Sequence, residues 1–93
     1  MKFYVYMLLS NKGNKYFSYV GYTVNLKKRL SLHNSSKGAK FTRGKKWKII
    51  YSRGYPNKSL ALKAEYLLKK NYIMRKLLKK KYLFFKNLID DKK

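Results

Sequence analysis

Apolar residues at the start of the chain fall into two short runs that a turn separates. Phe3–Leu9 is uncharged and rich in aromatic and β-branched side chains, which is typical of a strand. Asn11–Asn14 reads Asn-Lys-Gly-Asn, a turn composition, and Tyr16–Thr23 again has the composition of a strand. Because the connection is so short, we expect the two runs to pair as an antiparallel hairpin.

The middle of the chain adds one helix and one strand. Asn25 is a good N-cap for a helix that ends near His33. Residues 34–46 are polar and small, which predicts a loop, and Trp47–Arg53 has the alternation of a third strand, with Ile49 and Tyr51 expected on one face. The following Gly-Tyr-Pro-Asn sequence predicts a turn.

A long helical pattern fills the C-terminal third of the chain. Ser59 is the predicted N-cap, and the pattern continues to about Leu88. One helix of that length does not suit so small a domain, so we expect a break between Asn71 and Lys81. The order β-β-α-β-α plus a C-terminal helix predicts an α+β fold, with a small, three-stranded, largely antiparallel sheet flanked by helices.

Length and charge narrow the function. The 93 residues suffice for one domain, expected to span 1–93 with a basic helical extension at 76–93. The chain has 25 Lys and Arg against three acids, and its net charge of +22 favours a polyanionic partner. Nucleic acid is the first choice and an anionic membrane surface is the alternative. There is no Cys, which excludes disulfides and Cys-based zinc sites.

Nothing in the sequence predicts export or membrane insertion. The apolar run near the N-terminus is too short for a signal-peptide core with a cleavage site, and no run approaches a membrane span. We expect an intracellular protein, in the cytoplasm or nucleoid of a bacterium, with no membrane partner. Most of the positive charge comes from lysine, and an AT-rich genome would raise the number of lysines. The four arginines are therefore more informative about function: Arg29, Arg43, Arg53 and Arg75.

Two tyrosines are expected to meet across the hairpin. If the turn is centred on Lys12 and Gly13, Tyr6 lies directly opposite Tyr19. The pair is either an aromatic contact in a half-buried sheet or part of a catalytic site, and the spacing leaves both open. Gly21, near the end of the second strand, indicates a bulge or the close approach of another backbone.

Glu65 is the one carboxylate side chain in the first 89 residues. Its helical stripe contains Ala61, Leu68 and Tyr72, so we expect it to face inward or to lie at the edge of a groove, where a carboxylate needs a cation. The simpler alternative is an i, i+4 ion pair with Lys69, worth about 0.2–0.5 kcal/mol.

Arg29 and His33 share a face of the first predicted helix, which is either a solvated basic surface or part of a site. Hydrolysis of a phosphodiester needs a Lewis acid, a deprotonated nucleophile and positive charge near the phosphate. One Glu for Mg²⁺, a Tyr or His as base and an Arg on the phosphate meet that list. A single carboxylate with waters and substrate phosphate is enough to hold Mg²⁺.

These residues resemble a known family. Tyr4–Tyr6 and Tyr19–Gly21 resemble the two signature tripeptides of the GIY-YIG nuclease superfamily, although Tyr4 stands where Gly is nominal. Thr23–Leu30 resembles the helix that carries the catalytic Arg of that family, which places the role on Arg29.

The resemblance extends over about residues 3–75. His33 matches the His or Tyr that follows the catalytic Arg by four residues. Lys37–Gly44 resembles a loop of the small stand-alone bacterial members (the YhbQ-like group) and of the Slx-type catalytic domain. Ser59–Glu65 resembles the helix that carries the single metal-binding Glu.

The resemblance implies a divalent-metal-dependent DNA endonuclease. In that role Glu65 holds Mg²⁺ or Mn²⁺, Tyr6 helps to deprotonate water, and Tyr19 positions phosphate or water. Arg29 neutralises charge in the transition state, and His33 relays a proton or binds phosphate. The implied substrate is single-stranded or branched DNA, in repair or recombination.

Four cations of the loop are expected to follow the DNA backbone: Lys37, Lys40, Arg43 and Lys45. Slx-type enzymes carry a Cys-rich RING-like domain that this chain lacks, so it acts alone or recruits an accessory protein subunit.

Two alternatives remain open at this point. One is a basic nucleic-acid-binding module without catalysis, and the other is a membrane-surface or partner-binding helix within Lys63–Lys86.

Overall fold

The computed structural model describes residues 2–91, which form an α+β fold with a three-stranded sheet and three helices, as the sequence predicts. The elements are β1 (Phe3–Lys12), β2 (Lys15–Thr23), α1 (Leu26–Asn34), β3 (Lys48–Tyr55), α2 (Lys58–Lys70) and α3 (Tyr72–Asp91). The expected basic extension at 76–93 falls within α3, and its last two residues lie outside the described residues. No helix in residues 2–91 is long and apolar enough to cross a membrane.

The central strand β1 explains the uncharged run at the start of the chain. The sheet order is β2-β1-β3, and β1 is antiparallel to both neighbours. Helix α1 and the loop after it cover one face of the sheet, while α2 and α3 cover the other. Because both faces are covered, all six residues from Val5 to Ser10 are buried, which requires side chains without charge.

The hairpin turn is displaced from its predicted position. Lys12 pairs with Lys15, so the two turn residues are Gly13 and Asn14 rather than Lys12 and Gly13. Gly13 has a φ of 61°, a left-handed conformation that hairpin turns of this length require and that glycine adopts without strain. The predicted register is therefore wrong by two residues.

The correct register places Tyr6 opposite Gly21 and Tyr19 opposite Leu8. Because side chains alternate between faces with a period of two, a shift of two residues leaves Tyr6 and Tyr19 on the same face. They become diagonal neighbours instead of a direct pair, and both face α1.

The third strand departs from its predicted alternation. A register irregularity between Met7 and Leu8 leaves Ile50 without a partner on β1. Ile50 and Tyr51 therefore both pack in the cluster of Met7, while Ile49 packs in the cluster of Leu8. The expectation that Ile49 and Tyr51 share a face is wrong, because the irregularity interrupts the pleat between them.

The helix ends follow side-chain capping. Asn25 caps α1 as predicted, and its Oδ1 accepts the backbone N–H of Lys28 at 3.0 Å. The cap of α2 is Asn57 and not Ser59, because β3 continues to Tyr55 and Asn57 then accepts the backbone N–H of Leu60 at 2.9 Å. The predicted turn at 54–57 is correspondingly shorter.

The predicted break in the long helical segment lies at Asn71. This residue ends α2, and its Oδ1 accepts the backbone N–H of Met74 at 2.9 Å at the start of α3. The expected loop begins one residue later than predicted, because Asn34 ends α1, and residues 35–46 contain one 3₁₀ turn at Lys40–Thr42. Asn34 fixes the end of that loop, since its Nδ2 donates to the carbonyl of Trp47 at 3.1 Å and its Oδ1 accepts from the Trp47 backbone N–H.

Candidate active site

An open cavity of about 390 Å³ lies at the β2 edge of the sheet, where α1 and α2 approach it from opposite faces. Its lining includes four of the five residues expected to be catalytic. The lining residues are Tyr6, Tyr19, Gly21, Tyr22, Thr23, Val24, Arg29 and Glu65. The fifth, His33, lies directly behind Tyr6. Residues from four different elements thus meet at one opening.

Gly21 allows the Tyr6 side chain to lie across β2. A Cβ at position 21 would lie 2.5 Å from the Tyr6 hydroxyl oxygen and 3.0 Å from Cε2 of Tyr19. The sequence predicts a close approach at this glycine, and the approaching group is a tyrosine side chain rather than a backbone. Glycine is needed here because any larger residue would displace the Tyr6 hydroxyl.

A chain of hydrogen bonds runs from Tyr6 into the protein. The Tyr6 hydroxyl lies 2.9 Å from Nε2 of His33, and Nδ1 of His33 lies 2.8 Å from Oγ1 of Thr42. The Thr42 hydroxyl donates its proton to the carbonyl of Ala39 at 2.7 Å. Thr42 must then accept from His33, which puts the histidine proton on Nδ1. Nε2 is left as an acceptor, and Tyr6 donates to it.

His33 is enclosed on all sides. Its side chain is 0% exposed, so the alternative that it lies on a solvated basic face is wrong. A Cβ on Gly38 would collide with Nδ1 of His33, and Trp47 holds the loop in place by donating Nε1–H to the carbonyl of Thr42 at 3.0 Å. With both ring nitrogens occupied and no exposed surface, His33 cannot bind a phosphate directly. A proton relay is the role that its position allows.

The sequence reasoning missed three residues that support His33: Gly38, Thr42 and Trp47. Their residue types give no clear signal, because five of the nine residues in 37–45 are uncharged. Only the fold shows that these positions face His33.

Arg29 connects the two tyrosines to the opening. Interaction with the Tyr6 hydroxyl is the main cause that raises the pKa of Arg29, and Tyr19 makes a smaller contribution in the same direction. Among the described residues, no acceptor lies within reach of the buried Nε of Arg29. A buried donor without a partner is costly, and an anionic oxygen in the cavity would satisfy it.

The environment sets the protonation state of Tyr6 and His33. Burial raises the pKa of Tyr6, and the hydrogen bond from Arg29 opposes this only in part. Burial, followed by repulsion from Arg29, lowers the pKa of His33. Near neutral pH the pair is therefore a neutral phenol and a neutral imidazole.

The tyrosine and histidine rings form one aromatic group. The ring centroids of Tyr6 and Tyr19 are 6.4 Å apart, and those of Tyr19 and His33 are 5.0 Å apart. The rings pack together in the sheet and both residues also line the cavity, so the aromatic contact does not exclude the catalytic alternative.

Glu65 lies at a groove edge and also contacts Lys69, which are the two placements that its sequence position allows. Its side chain is 18% exposed and lines the cavity, so it lies at a groove edge as expected. Its Oε1 also lies 3.8 Å from Nζ of Lys69, a long and partly exposed ion pair of small energetic value. Tyr72, which the sequence puts in the same stripe, lies beyond the helix break and is exposed.

The donor set suits a hard cation that keeps most of its water. No group of three or more His, Cys, Asp or Glu side chains comes together in the part of the chain that the structure describes. The carboxylate of Glu65 is the anionic oxygen donor at the cavity, and the open space beside it accommodates waters and a phosphate oxygen. Mg²⁺ or Mn²⁺ fits such a site, whereas Zn²⁺ would require more side-chain ligands.

The four loop cations lie outside this cavity. Lys37, Lys40 and Arg43 are exposed, as phosphate contacts need to be. Lys45 is half-buried, its Nζ donates to the carbonyl of Phe41 at 3.3 Å, and it lies 5.0 Å from the ring centroid of Phe17. Its contacts are with the fold, so it is less available to DNA than the other three.

Comparisons with known proteins identify the family of this chain. A family model described as the GIY-YIG catalytic domain matches residues 2–82. The UPF0213 protein of Streptococcus pneumoniae serotype 4 is 44% identical over 70 residues, which cover 74% of this chain and 68% of that protein. The UPF0213 protein SAG0778 of Streptococcus agalactiae serotype V is 40% identical over 75 residues, which cover 80% and 82% of the two chains.

One solved structure is also similar to this chain. The solution NMR structure of the UPF0213 protein BH0048 from Bacillus halodurans has 33% sequence identity and a TM-score of 0.45, and the match covers 85% of this chain and 84% of that one. The family match over residues 2–82 and the similarity to UPF0213 proteins show that the chain belongs to the GIY-YIG nuclease family, among its small stand-alone bacterial members.

Proposed function

We propose that this protein is a divalent-metal-dependent DNA endonuclease that hydrolyses phosphodiester bonds. The observation that carries the proposal is the meeting of Tyr6, Tyr19, Arg29 and Glu65 at one open cavity, with His33 bonded behind Tyr6. Each part of phosphodiester hydrolysis has a group there: a carboxylate for the metal, a proton relay for water and a guanidinium for the phosphate.

The relay is proposed to move a proton from the attacking water to His33. As the Tyr6 oxygen takes a proton from water, the Tyr6 hydroxyl proton passes to Nε2 of His33, so Tyr6 remains neutral throughout. This avoids a free phenolate, which burial disfavours. Thr42 keeps Nε2 free by holding the other histidine proton.

Two further residues act on the phosphate. Arg29 lines the cavity and offers its guanidinium to a phosphate oxygen, which offsets the charge that develops there. Tyr19 lines the same cavity and is proposed to position the phosphate or the water. Glu65 would hold Mg²⁺ or Mn²⁺, which when bound supplies Lewis-acid polarisation of the phosphate.

The proposed substrate is single-stranded or branched DNA, in repair or recombination. The exposed cations of the loop contact phosphate rather than base edges, so binding is expected to tolerate any sequence and to weaken steeply with salt. An accessory protein subunit remains part of the proposal as a partner that would supply substrate choice.

A panel of substrates tests the proposal. Single-stranded, duplex, flap and four-way DNAs are incubated with the protein and either Mn²⁺, Mg²⁺ or EDTA. Cleavage of the single-stranded or branched forms that depends on the metal supports the proposal. Tight binding to all four forms without cleavage under any condition would instead identify a basic nucleic-acid-binding module.

A further inference from the structure

Arg75 is a second arginine with an unsatisfied donor. It lies in α3, its Nε is buried, and no described residue provides an acceptor for it. The same is true of Arg29 in the catalytic cavity. The guanidinium of Arg75 lies 5.8 Å from the ring centroid of Tyr72. Such a donor requires an acceptor that the folded chain does not supply.

The described residues place no carboxylate beside Arg75. Glu65 is the one acidic side chain in the first 89 residues, and it already faces Lys69 and the catalytic cavity. An anion from a ligand would supply the acceptor that these residues do not.

Arg75 lies in a small cavity next to the catalytic one. This cavity, of about 200 Å³, is lined by Ser18, Tyr19, Val20, Lys69 and Arg75. Tyr19 lines both cavities, and the ion pair of Lys69 with Glu65 joins them from the α2 side. An anion at Arg75 is thus separated from an anion at Arg29 by little more than the Tyr19 segment of β2.

Positive charge continues from Arg75 along β2. A further cavity of about 100 Å³ brings Ser18 and Arg75 together with Lys76 and Lys79. Nζ of Lys79 lies 5.6 Å from the ring centroid of Tyr16, near the hairpin end of β2. These cations lie beside β2, an outer strand of the sheet, and Lys76 among them is exposed.

We propose that Arg75 binds the DNA phosphate next to the scissile one, on the side of the catalytic cavity that leads toward Tyr16. A guanidinium suits this task, since its planar donors match two oxygens of a phosphate. The location next to the scissile phosphate rests on the proposed nuclease function, but phosphate binding by Arg75 does not. Arg75 fixes the position of the strand and takes no part in bond cleavage.

Binding without cleavage tests the site. The dissociation constant of a short single-stranded oligonucleotide is measured for Arg75→Gln over a series of salt concentrations. EDTA and an additional Glu65→Gln substitution prevent cleavage during the measurement. The matched control is Arg53→Gln, which removes the same charge from an exposed arginine on β3, the opposite edge of the sheet. We expect Arg75→Gln to weaken binding about tenfold and to lower the salt slope by about one, because one charged contact is lost. Arg53→Gln should change the affinity less than about twofold.

Two further measurements exclude a purely structural role. Arg75→Lys keeps the charge but loses the planar donors, so it should fold like the parent and bind with intermediate affinity. Single phosphates of the oligonucleotide are also replaced by neutral methylphosphonates. At one linkage this replacement should weaken binding to the parent protein more than it weakens binding to Arg75→Gln. The proposal would be overturned if Arg75→Gln lowered the melting temperature but left the DNA affinity unchanged. It would also be overturned if methylphosphonates weakened binding equally in the parent and in Arg75→Gln. Failure of the nuclease proposal would appear separately, as uncut DNA with Mn²⁺ and the parent protein.

Discussion

The Tyr6 hydroxyl donates to Nε2 of His33 across 2.9 Å inside the protein, so the one histidine of the chain is connected to the cavity through a tyrosine. This contact joins β1 to α1, and both residues are almost fully buried. It places a neutral imidazole where it can take a proton that enters through Tyr6. The predictions below follow from this pair, from the groups that hold it and from the cations around it.

The tautomer of His33 depends on Thr42. Thr42→Val removes the oxygen that accepts from Nδ1, so the proton is no longer held on that nitrogen and Nε2 is no longer kept free. We expect the cleavage rate to fall at least about tenfold, which is within the range for disturbed acid–base catalysis, while DNA binding stays unchanged. Thr42→Ser is the matched control, since it keeps the hydroxyl. Equal rates for Thr42→Val and Thr42→Ser would contradict the relay.

Stability should depend on pH through His33. Burial lowers its pKa in the folded protein, so the unfolded chain binds a proton more readily than the folded one. The stabilisation is fully present above the ordinary histidine pKa of about 6.5 and is lost as the pH falls from there through the lower pKa of the folded state. Urea unfolding at pH 7.5 and pH 5 should therefore show a lower free energy of unfolding at pH 5.

The control for that measurement is His33→Gln. His33 is the only histidine in the chain, so the dependence in this pH range should largely disappear in the variant. A parent protein as stable at pH 5 as at pH 7.5 would show that His33 is not buried in its neutral form.

Gly21 should be intolerant of any side chain. In Gly21→Ala the new methyl group would lie 2.5 Å from the Tyr6 hydroxyl oxygen, so Tyr6 must move away from His33. We expect a loss of stability of about 1–3 kcal/mol, typical of overpacking, and the loss of cleavage. Gly54→Ala is the control, because its nearest neighbours, at 3.2 and 3.3 Å, are flexible side-chain atoms of Lys2 and Tyr4. If Gly21→Ala and Gly54→Ala gave the same denaturation curve, the crowding described at Gly21 would be contradicted.

The loop cations should separate into two classes. Neutralising Lys37, Lys40 or Arg43 to Gln should weaken DNA binding similarly for all sequences and lower the salt slope, without changing the melting temperature. Lys45→Gln should instead lower the melting temperature, because it removes contacts with Phe17 and Phe41. Fluorescence anisotropy with labelled DNA and thermal unfolding distinguish the classes. The same profile for all four variants would contradict the different placement of Lys45.

The sequence predicts the composition of the site better than its geometry. Tyr6 and Tyr19 share a face in either register, because side-chain alternation survives a shift of two residues. The register itself depends on which pair of residues forms the turn. The left-handed glycine at position 13 is compatible with both choices, so local chemistry alone does not decide.

Helix starts show the same limit. Asn57 and Ser59 are both good N-caps, and the choice between them depends on where β3 ends. Pairing of Tyr55 with Phe3 of β1 extends β3, which leaves Asn57 as the cap. That pairing is a tertiary contact, and no local pattern contains it. The role of Thr42 is hidden for the same reason, since it depends on contact between the loop and α1.

The most direct test of the nuclease site compares the parent protein with Glu65→Gln at equal occupancy by DNA. Protein in excess over a branched substrate, at concentrations that saturate both proteins, is mixed with Mn²⁺, and the single-turnover cleavage rate is measured. The proposed site predicts equal binding and a rate at least about a hundredfold lower for Glu65→Gln, equivalent to about 2.7 kcal/mol of transition-state stabilisation. Equal cleavage rates for the two proteins would contradict the assignment of Glu65 as the metal ligand and, with it, the proposed catalytic site.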